Sequence, residues 1–235
     1  MRVVSLVPSA TETILELGVA PVACTRFCDQ PGLPTVGGTK DPDLAAVIAA
    51  RPDLVVVNSE ENRRADAAAL LDAGLTVHDC SPRSVDDVGP AVEALADALG
   101  VAVPEPFAAQ QWRAFLARDA PPTPRRSVVT FVWRRPWMTI ARDTYGASVL
   151  DRLGLQTVEF DDPSRYPSVT LDAVRARGAE LVLLPSEPYP FRDRHRVELE
   201  RELPGISLRL VDGRDLFWWG ARTPAALERL RGALS

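Results

Sequence analysis

Several residue types are scarce, and each shortage narrows what the chain can be. The 235 residues include three cysteines, two histidines and a single lysine, Lys40. Three cysteines cannot build a disulfide framework, and no Cys or His group has the spacing of a zinc site. No apolar run approaches the roughly 18 residues that a membrane helix needs. We therefore do not expect membrane insertion. The formal net charge of −5 leaves no excess of basic residues, so we do not expect nucleic-acid binding either.

The N-terminus lacks the features of a secretory leader. Apolar residues begin at Val3 and stop at Pro8, whereas a signal peptide has a basic start, a longer apolar core and a small-residue cleavage site. As written, the sequence predicts a cytoplasmic protein, and it predicts an extracytoplasmic one if a leader has been removed. A composition of 46% hydrophobic and 25% charged residues is typical of a folded globular chain.

Short apolar runs alternate with amphipathic stretches along the chain, which indicates an α/β fold. Residues 3–7, 54–57 and 181–184 are rich in β-branched or aliphatic side chains and fit buried parallel strands. Ser9 to Glu12 fits a capping box at a helix start. Residues 85–116 are mainly helical in composition. We predict two Rossmann-like lobes with parallel sheets, at 1–83 and 125–235, separated by a helical linker at 84–124 that ends in a Pro-rich stop.

The residues that follow the predicted strands form the most informative pattern, because ligands of open α/β sheets bind beyond the carboxyl ends of the strands. Four of the five tryptophans fall there, although aromatic residues make up only 6% of the chain. Aromatic concave surfaces suit large, flat, mostly apolar ligands. We therefore predict ligand contacts from Ser9, Phe27, Cys28, Asn58 and Glu60 in the first lobe, and from Trp133, Arg134, Trp137, Glu187, Tyr189, Phe217, Trp218 and Trp219 in the second.

Two of these assignments have an alternative. Trp133 lies close enough to its strand to belong to the lobe core instead. Arg134, with Arg135 beside it, either favours an anionic ligand or is surface charge. For Trp218 and Trp219, burial of both is disfavoured because adjacent residues point in different directions.

Signals for catalysis are weak. Neither GxGxxG nor GxxxxGK[ST] is present, and Gly-Gly-Thr-Lys at 37–40 has the wrong spacing for a P-loop. Cys28 has no nearby histidine in sequence, and His195 lies in a charge run typical of a solvated helix face. Glu60 and Glu61 fit a helix start. We predict no catalytic residue, no metal ligand and no required cofactor; the alternative is an enzyme acting on a metal chelate through Cys28 or the Glu60/Glu61 pair.

Five motifs together resemble the cobalamin-type substrate-binding proteins of ABC importers, the helical-backbone metal receptor group. The matches run in the family's order through most of the chain: Val-Ser-Leu-Val-Pro-Ser-Ala-Thr-Glu at 4–12, Val-Gly-Gly at 36–38 with Asp-Pro-Asp-Leu at 41–44, Arg-Pro-Asp-Leu-Val at 51–55, Trp-Arg-Arg-Pro-Trp-Met at 133–138 with Asp-Thr-Tyr at 143–145, and Leu-Leu-Pro-Ser-Glu-Pro-Tyr-Pro-Phe at 183–191.

The resemblance implies two α/β lobes joined by one long, rigid backbone helix, with the ligand in the cleft between them. The implied ligand is a metal-containing macrocycle or chelate: cobalamin or another corrinoid first, haem or a ferric siderophore otherwise. Tyr145 joins the ligand-binding residues through the fourth motif. The resemblance also implies that Glu187, with Glu61, docks on permease arginines; the alternative for Glu187 is to face the ligand.

The implied partner is an ABC permease, and we expect the protein to be a monomer. The alternative is a cytoplasmic carrier or sensor that hands a corrinoid, haem or ferric siderophore to an acceptor protein. It would use the same site but would need a protein partner in place of the permease.

Overall fold

The computed structural model of the chain describes residues 1–118 and 125–234. These residues form two compact units. The first comprises residues 1–82, 86–115 and 219–221, and the second comprises the described parts of 83–85, 116–218 and 222–235. The chain therefore returns to the first unit for three residues near its C-terminus. The predicted Pro-rich stop at 120–124 lies outside the described residues.

A four-stranded parallel sheet forms the centre of the first unit. Its strands are β1 (Val3–Ser5), β2 (Ala23–Cys24), β3 (Leu54–Val57) and β4 (Val77–Asp79), in the order β2-β1-β3-β4. Every residue of β1 and β3 is buried, as expected of aliphatic runs covered on both faces. Because the strand order reverses between β1 and β3, the carboxyl ends of these two strands form a topological switch point, where ligands of such sheets bind.

Helices follow most of these strands and continue beyond β4. They are α1 (Pro8–Glu16), α2 (Leu44–Ala49), α3 (Arg64–Asp72), α4 (Val88–Leu99), a 3₁₀ turn (Glu105–Phe107) and α5 (Ala109–Arg118). Val47 of α2 and Leu70 of α3 pack into the core of the sheet. The helical span predicted after residue 84 is present as α4 and α5, and its assignment to a separate linker stays a prediction.

The start of α1 differs from the sequence prediction. The helix begins at Pro8 with Val7 as its N-cap, and no side chain caps it. Proline favours the first helical position because its φ is already helical and its missing N–H would be unpaired there. This start places Ser9 inside the first turn, so the predicted capping box from Ser9 to Glu12 is wrong.

The second unit has a mixed sheet. Its strands are β5 (Arg126–Trp133), β6 (Trp137–Thr139), β7 (Leu155–Thr157), β8 (Ser168–Val169), β9 (Leu181–Pro185) and β10 (Ser207–Val211), in the path β10-β9-β5-β6-β8 with β7 paired to β5. The β5, β7, β9 and β10 pairings are parallel, which confirms the predicted α/β lobe. β6 is an addition that was not predicted: residues 134–136 turn the chain back, and β6 runs antiparallel to β5 and to β8.

Five helices complete the second unit: α6 (Tyr145–Arg152), α7 (Leu171–Ala176), α8 (Asp193–Glu202), α9 (Gly213–Phe217) and α10 (Thr223–Leu234). The hydroxyls of Thr144 and Thr170 cap α6 and α7 by accepting backbone N–H bonds. α9 begins directly after β10, where Asp212 accepts the N–H of Arg214. Among the described residues, no helix is both long and apolar enough to cross a bilayer.

Candidate ligand-binding site

Aromatic rings form a continuous row at the carboxyl ends of β5 and β9. Trp133 ends β5 with 45% of its surface exposed and meets the ring of Tyr189 edge-on at 5.5 Å. Tyr189 contacts Phe191 at 4.7 Å, and Phe191 stacks on Trp137 at 6.2 Å. Trp137 also packs on buried Phe131. The core therefore anchors one end of this aromatic row (Trp133, Tyr189, Phe191 and Trp137), while Trp133 presents the other end to solvent.

Arg134 lies beside the aromatic row, and a carboxylate already balances its charge. Its guanidinium group forms an ion pair with Glu198 of α8. Its Cζ atom lies 5.7 Å from the centre of the Trp137 ring. The Arg134 side chain is only 15% exposed, so it is part of the packed site rather than a solvated surface charge.

His195 of α8 packs against the aromatic row on its buried side. Its ring packs against Tyr189 and Phe191, and the residue is 2% exposed. The predicted solvated helix face is therefore wrong for His195, because this position of α8 turns towards the core. Its Nδ1 accepts the backbone N–H of Arg192, and burial lowers the pKa of its imidazole.

A second cluster surrounds Trp218, directly after α9. The indole N–H donates a hydrogen bond to the Glu187 carboxylate, and the Cζ atoms of Arg214 and Arg222 lie 5.0 and 5.2 Å from the ring centre. Burial raises the pKa of Glu187, while the Trp218 hydrogen bond and Arg214 act in the opposite direction. Gly213 permits this packing, because a Cβ there would lie 2.6 Å from the Cγ of Glu187.

Carboxylates balance the arginines of this cluster. The side chain of Asp215 is 6% exposed and forms ion pairs with Arg222 at 3.0 Å and with Arg229 at 2.6 Å. Arg214 lies 3.8 Å from Glu187. Both aromatic regions of the second unit thus carry paired guanidinium groups.

Tyr145 and Phe217 pack against other side chains of the second unit. Tyr145 is 6% exposed, its hydroxyl lies 2.9 Å from Oγ1 of Thr223, and burial raises its pKa. Phe217 is half-buried against α6, where a Cβ on Gly146 would lie 2.8 Å from its ring. In this conformation Tyr145 has little surface to offer a ligand.

The two adjacent tryptophans differ in burial, as their opposed directions predict. Trp218 is half-buried, whereas Trp219 is 2% exposed and its buried Nε1 lacks a hydrogen-bond partner among the described residues. Trp219 starts the segment that belongs to the first unit. Its assignment as a ligand contact stays a prediction, and it would require that segment to move.

In the first unit, Asn58 shapes the turn after β3. Its amide nitrogen donates to the carbonyl of Cys80 at 2.9 Å, and its amide oxygen accepts the N–H of Glu60 and of Glu61 at 2.8 and 3.3 Å. The residue is 5% exposed. These bonds occupy both ends of its amide and give it a structural role.

Asn62 was not predicted, although it ties the switch point together. Its amide nitrogen donates to the carbonyls of Leu6 and Thr39, at 3.1 and 2.9 Å, and its oxygen accepts the N–H of Asn58. It thereby links the end of β1, the 37–40 loop and the turn after β3. Asparagines one and five residues after an apolar strand are the sequence signal for such a turn.

Glu60 and Glu61 are half-buried in the same turn. The Lys40 ammonium group donates to the backbone carbonyl of Glu60 at 2.5 Å. α3 begins at Arg64, three residues after Glu61. Glu60 and Glu61 therefore precede the helix and do not lie at its start, as was predicted.

Ser9 and Phe27 occupy opposite environments. Ser9 is 1% exposed, and its hydroxyl oxygen has no hydrogen-bond partner among the described residues. Phe27 is 51% exposed, with the Cζ of Arg26 at 4.8 Å from its ring centre. Phe27 therefore presents its ring to solvent, whereas Ser9 does not, and the assignment of both as ligand contacts stays a prediction.

Cys28 belongs to a buried pair of thiols. Cys24 ends β2, and the two side chains are hydrogen-bonded to each other. Oγ1 of Thr11 and Oγ1 of Thr25 lie 3.1 and 3.2 Å from the Cys28 sulfur. The hydrogen bonds of Cys24, Thr11 and Thr25 lower the pKa of Cys28 to about 6 although burial opposes this, whereas the pKa of Cys24 is raised.

No group of three or more His, Cys, Asp or Glu residues within the described ranges could hold a metal ion. His78 lies within β4, paired with Val56. Burial lowers the pKa of His78.

Most of the second-unit residues that were predicted to contact a ligand thus lie in the aromatic row or in the Trp218 cluster. Sequence reasoning missed the charged residues that support them: Arg214, Asp215, Arg222 and Glu198. Arg214 and Arg222 flank the aromatic run 217–219 in sequence, and that flanking was the signal for cation–π contacts.

These features define an α/β fold of two units, with aromatic side chains beyond the carboxyl ends of the strands. The chain aligns over 97% of its length with 85% of the vitamin B12-binding protein of Vibrio cholerae serotype O1, at 22% identity. A structure of the periplasmic vitamin B12 binding protein of Vibrio cholerae matches with a TM-score of 0.80 and 22% identity, covering 99% of this chain and 96% of that one. A periplasmic heme binding protein from Pseudomonas aeruginosa matches with a TM-score of 0.80 and 24% identity, covering 99% and 91%.

No family model matches the chain. The similarity to these proteins confirms the predicted resemblance to cobalamin-type substrate-binding proteins and confirms the predicted fold. All three are named as binding proteins.

Proposed function

We propose that this chain is the substrate-binding protein of an ABC importer and that it captures cobalamin or another corrinoid. Its role is binding and delivery rather than chemical conversion. The proposal rests on the similarity to vitamin B12-binding proteins over nearly the whole chain and, above all, on the aromatic row of the second unit.

The aromatic row suits a large, flat ligand. Trp133 offers nearly half of its surface, and its partner Tyr189 is itself braced by the buried Phe191. Rings that are held in place lose little conformational freedom when a ligand arrives, so stacking contributes more of its energy to affinity. A corrin macrocycle presents the apolar faces that such rings contact.

The balance of charge favours a corrinoid over haem. Haem carries carboxylates, which bind best to guanidinium groups that have no other partner. In the second unit, Arg134 is paired with Glu198 and Arg222 with Asp215. A macrocycle rimmed by neutral amides can exchange hydrogen bonds with these pairs without breaking them.

We assign Glu187 to the ligand rather than to a permease. Its carboxylate is partly buried and bonded to the Trp218 indole within the aromatic surface, where it can accept a hydrogen bond from a corrin amide. Glu61, half-buried in the turn after β3, remains the proposed docking carboxylate for the permease. This role places the protein outside the membrane, where importers collect their substrates.

Visible absorption titrations with cyanocobalamin, haem and a ferric siderophore test the proposal. We expect saturable binding of cyanocobalamin, weakened about fivefold by Trp133→Ala, because an aromatic contact contributes about 1 kcal/mol. Tyr166→Ala is the matched control, since Tyr166 is also exposed, at 36%, and was not predicted to be in the site. Tighter binding of haem or of the siderophore would overturn the corrinoid assignment, and binding of none of the three would overturn the function.

A further inference from the structure

Two of the three cysteines lie side by side in the first unit. Cys24 is the last residue of β2, and Cys28 follows a turn closed by its own N–H on the carbonyl of Thr25 at 3.1 Å. Their side chains are hydrogen-bonded to each other, and both residues are buried, at 1% and 2% exposure. Both are free thiols.

We propose that Cys24 and Cys28 form a reversible intramolecular disulfide, which makes this pair an oxidation site for hydrogen peroxide. The bond would close a ring around Thr25, Arg26 and Phe27. Because Phe27 is 51% exposed, the disulfide would constrain an aromatic side chain that the first unit presents to solvent. The inference does not depend on the identity of the ligand.

The contacts assign the first step to Cys28. Its sulfur lies within hydrogen-bonding distance of the hydroxyls of Thr11 and Thr25, and the thiol of Cys24 is its third partner. Such donors stabilise the thiolate, which is the nucleophilic form of cysteine. The pKa of Cys28, lowered to about 6, agrees with that assignment.

The chemistry balances with peroxide as the sole oxidant. The Cys28 thiolate attacks one oxygen of hydrogen peroxide: an S–O bond forms, the O–O bond breaks, and hydroxide leaves and takes a proton. The Cys24 sulfur then attacks the sulfenic acid of Cys28, so that an S–S bond forms, the S–O bond breaks and water leaves. The two thiols lose two electrons in total, and peroxide is reduced to two water molecules.

The burial of the two thiols limits the size of the oxidants that can reach them. A protein disulfide or glutathione disulfide must bring its own sulfur into line with the attacking thiolate, and a residue that is 2% exposed does not offer that access. Hydrogen peroxide is about the size of the water molecules that occupy small polar cavities. We therefore expect peroxide to oxidise the folded protein much faster than glutathione disulfide does.

Cys80 provides a control within the same chain. It is also 2% exposed, but burial raises its pKa to about 12, and its sulfur contacts the carbonyl of Ala91 rather than another thiol. It should neither ionise near neutral pH nor find a second sulfur in the folded chain.

Thiol counting after brief peroxide treatment tests the proposal, with alkylation of the quenched, denatured protein and mass spectrometry. The reduced chain has three reactive thiols, and we expect one to remain, at Cys80, with dithiothreitol restoring the other two. Cys80→Ser should lose both of its thiols. Retention of all three thiols under peroxide, or loss that depends on protein concentration through intermolecular bonds, would overturn the proposal.

Single variants test the order of the steps. In Cys24→Ser, we expect dimedone to trap a sulfenic acid on Cys28, whereas Cys28→Ser should give little adduct on Cys24. Equal trapping in both variants would overturn the role of Cys28 as the attacking thiol. Far-ultraviolet circular dichroism verifies that each variant is folded, and Cys80→Ser repeats the comparison with the pair intact.

Discussion

Opposing effects act on the pKa of the Glu187 carboxyl group, and burial is the largest of them. Removal from water disfavours the charged carboxylate, whereas the Trp218 N–H and the Arg214 guanidinium favour it; the net effect raises the pKa from its ordinary value of 4.5. A group whose pKa is higher in the folded than in the unfolded chain stabilises the fold below the unfolded pKa. That contribution is lost as pH rises through the folded pKa.

Glu187→Gln should remove this pH dependence. Glutamine keeps an oxygen that accepts the Trp218 N–H but cannot ionise, so the free energy of unfolding of the wild type should fall relative to the variant as pH rises from 4.5. Urea unfolding at a series of pH values measures the difference. Glu180→Gln should show the opposite slope, because hydrogen bonds from Ser127 lower the pKa of Glu180. A wild-type advantage over Glu187→Gln that grows with pH would contradict the expectation.

Single side chains also show where sequence reasoning reached its limit at the site. A position after a strand predicts proximity to a ligand, but it does not fix the direction of the side chain. Trp133 and Phe27 are exposed there, whereas Asn58 forms hydrogen bonds within its turn and Trp219 is buried. The partners that decide these outcomes, such as Cys80 for Asn58, are distant in sequence.

At the scale of elements, length decided part of what could be predicted. β5, with eight residues, and α10, with twelve, carry enough apolar repeats to show their period. β6 and β8 have three and two residues, and α9 has five. Such short elements show no period and depend on the neighbours with which they pair, so the hairpin after Trp133 was missed.

The packing of α4 against α5 gives a prediction at this scale. A Cβ on Gly89 of α4 would lie 2.5 Å from the Trp112 ring, and Trp112 is 2% exposed. We expect Gly89→Ala to lower the free energy of unfolding by about 1–3 kcal/mol through overpacking, as measured by urea denaturation.

Gly232 of α10 is the matched control, since nothing lies within 4 Å of a Cβ there. Alanine should stabilise that helix position by about 0.5–1 kcal/mol, the usual gain over glycine. If Gly89→Ala and Gly232→Ala changed the free energy of unfolding in the same direction, the close contact between α4 and Trp112 would not explain the effect of Gly89→Ala.

At the scale of the whole molecule, the first unit is not a continuous stretch of chain. Residues 219–221 return to it from the far end of the sequence, and the N–H of Ala221 donates to Thr13 of α1 at 3.2 Å across 208 positions. No local pattern in 219–221 indicates this contact. Repeated βα rhythm predicted two lobes, but it could not predict that the first is completed by three late residues.

Gly220 allows the 219–221 segment to pack closely against α1. Its φ is +104°, and a Cβ there would lie 2.0 Å from Oγ1 of Thr13. Gly205 also has a positive φ, +85°, but has open space around it. Both alanine variants should therefore lose about 1 kcal/mol from the left-handed backbone, and only Gly220→Ala should lose about 1–3 kcal/mol more from the clash.

Hydrogen exchange locates the additional loss. Because Gly220 touches α1, the amides of α1 in the Gly220→Ala variant should exchange faster relative to wild type than they do in Gly205→Ala. An acceleration confined to α9 and α10 would mean that the 219–221 segment does not support the first unit. An effect centred on α1 would show that the stability of the N-terminal sheet depends partly on residues 219–221. A truncation before Trp219 would then weaken β1 and α1 as well as removing α10.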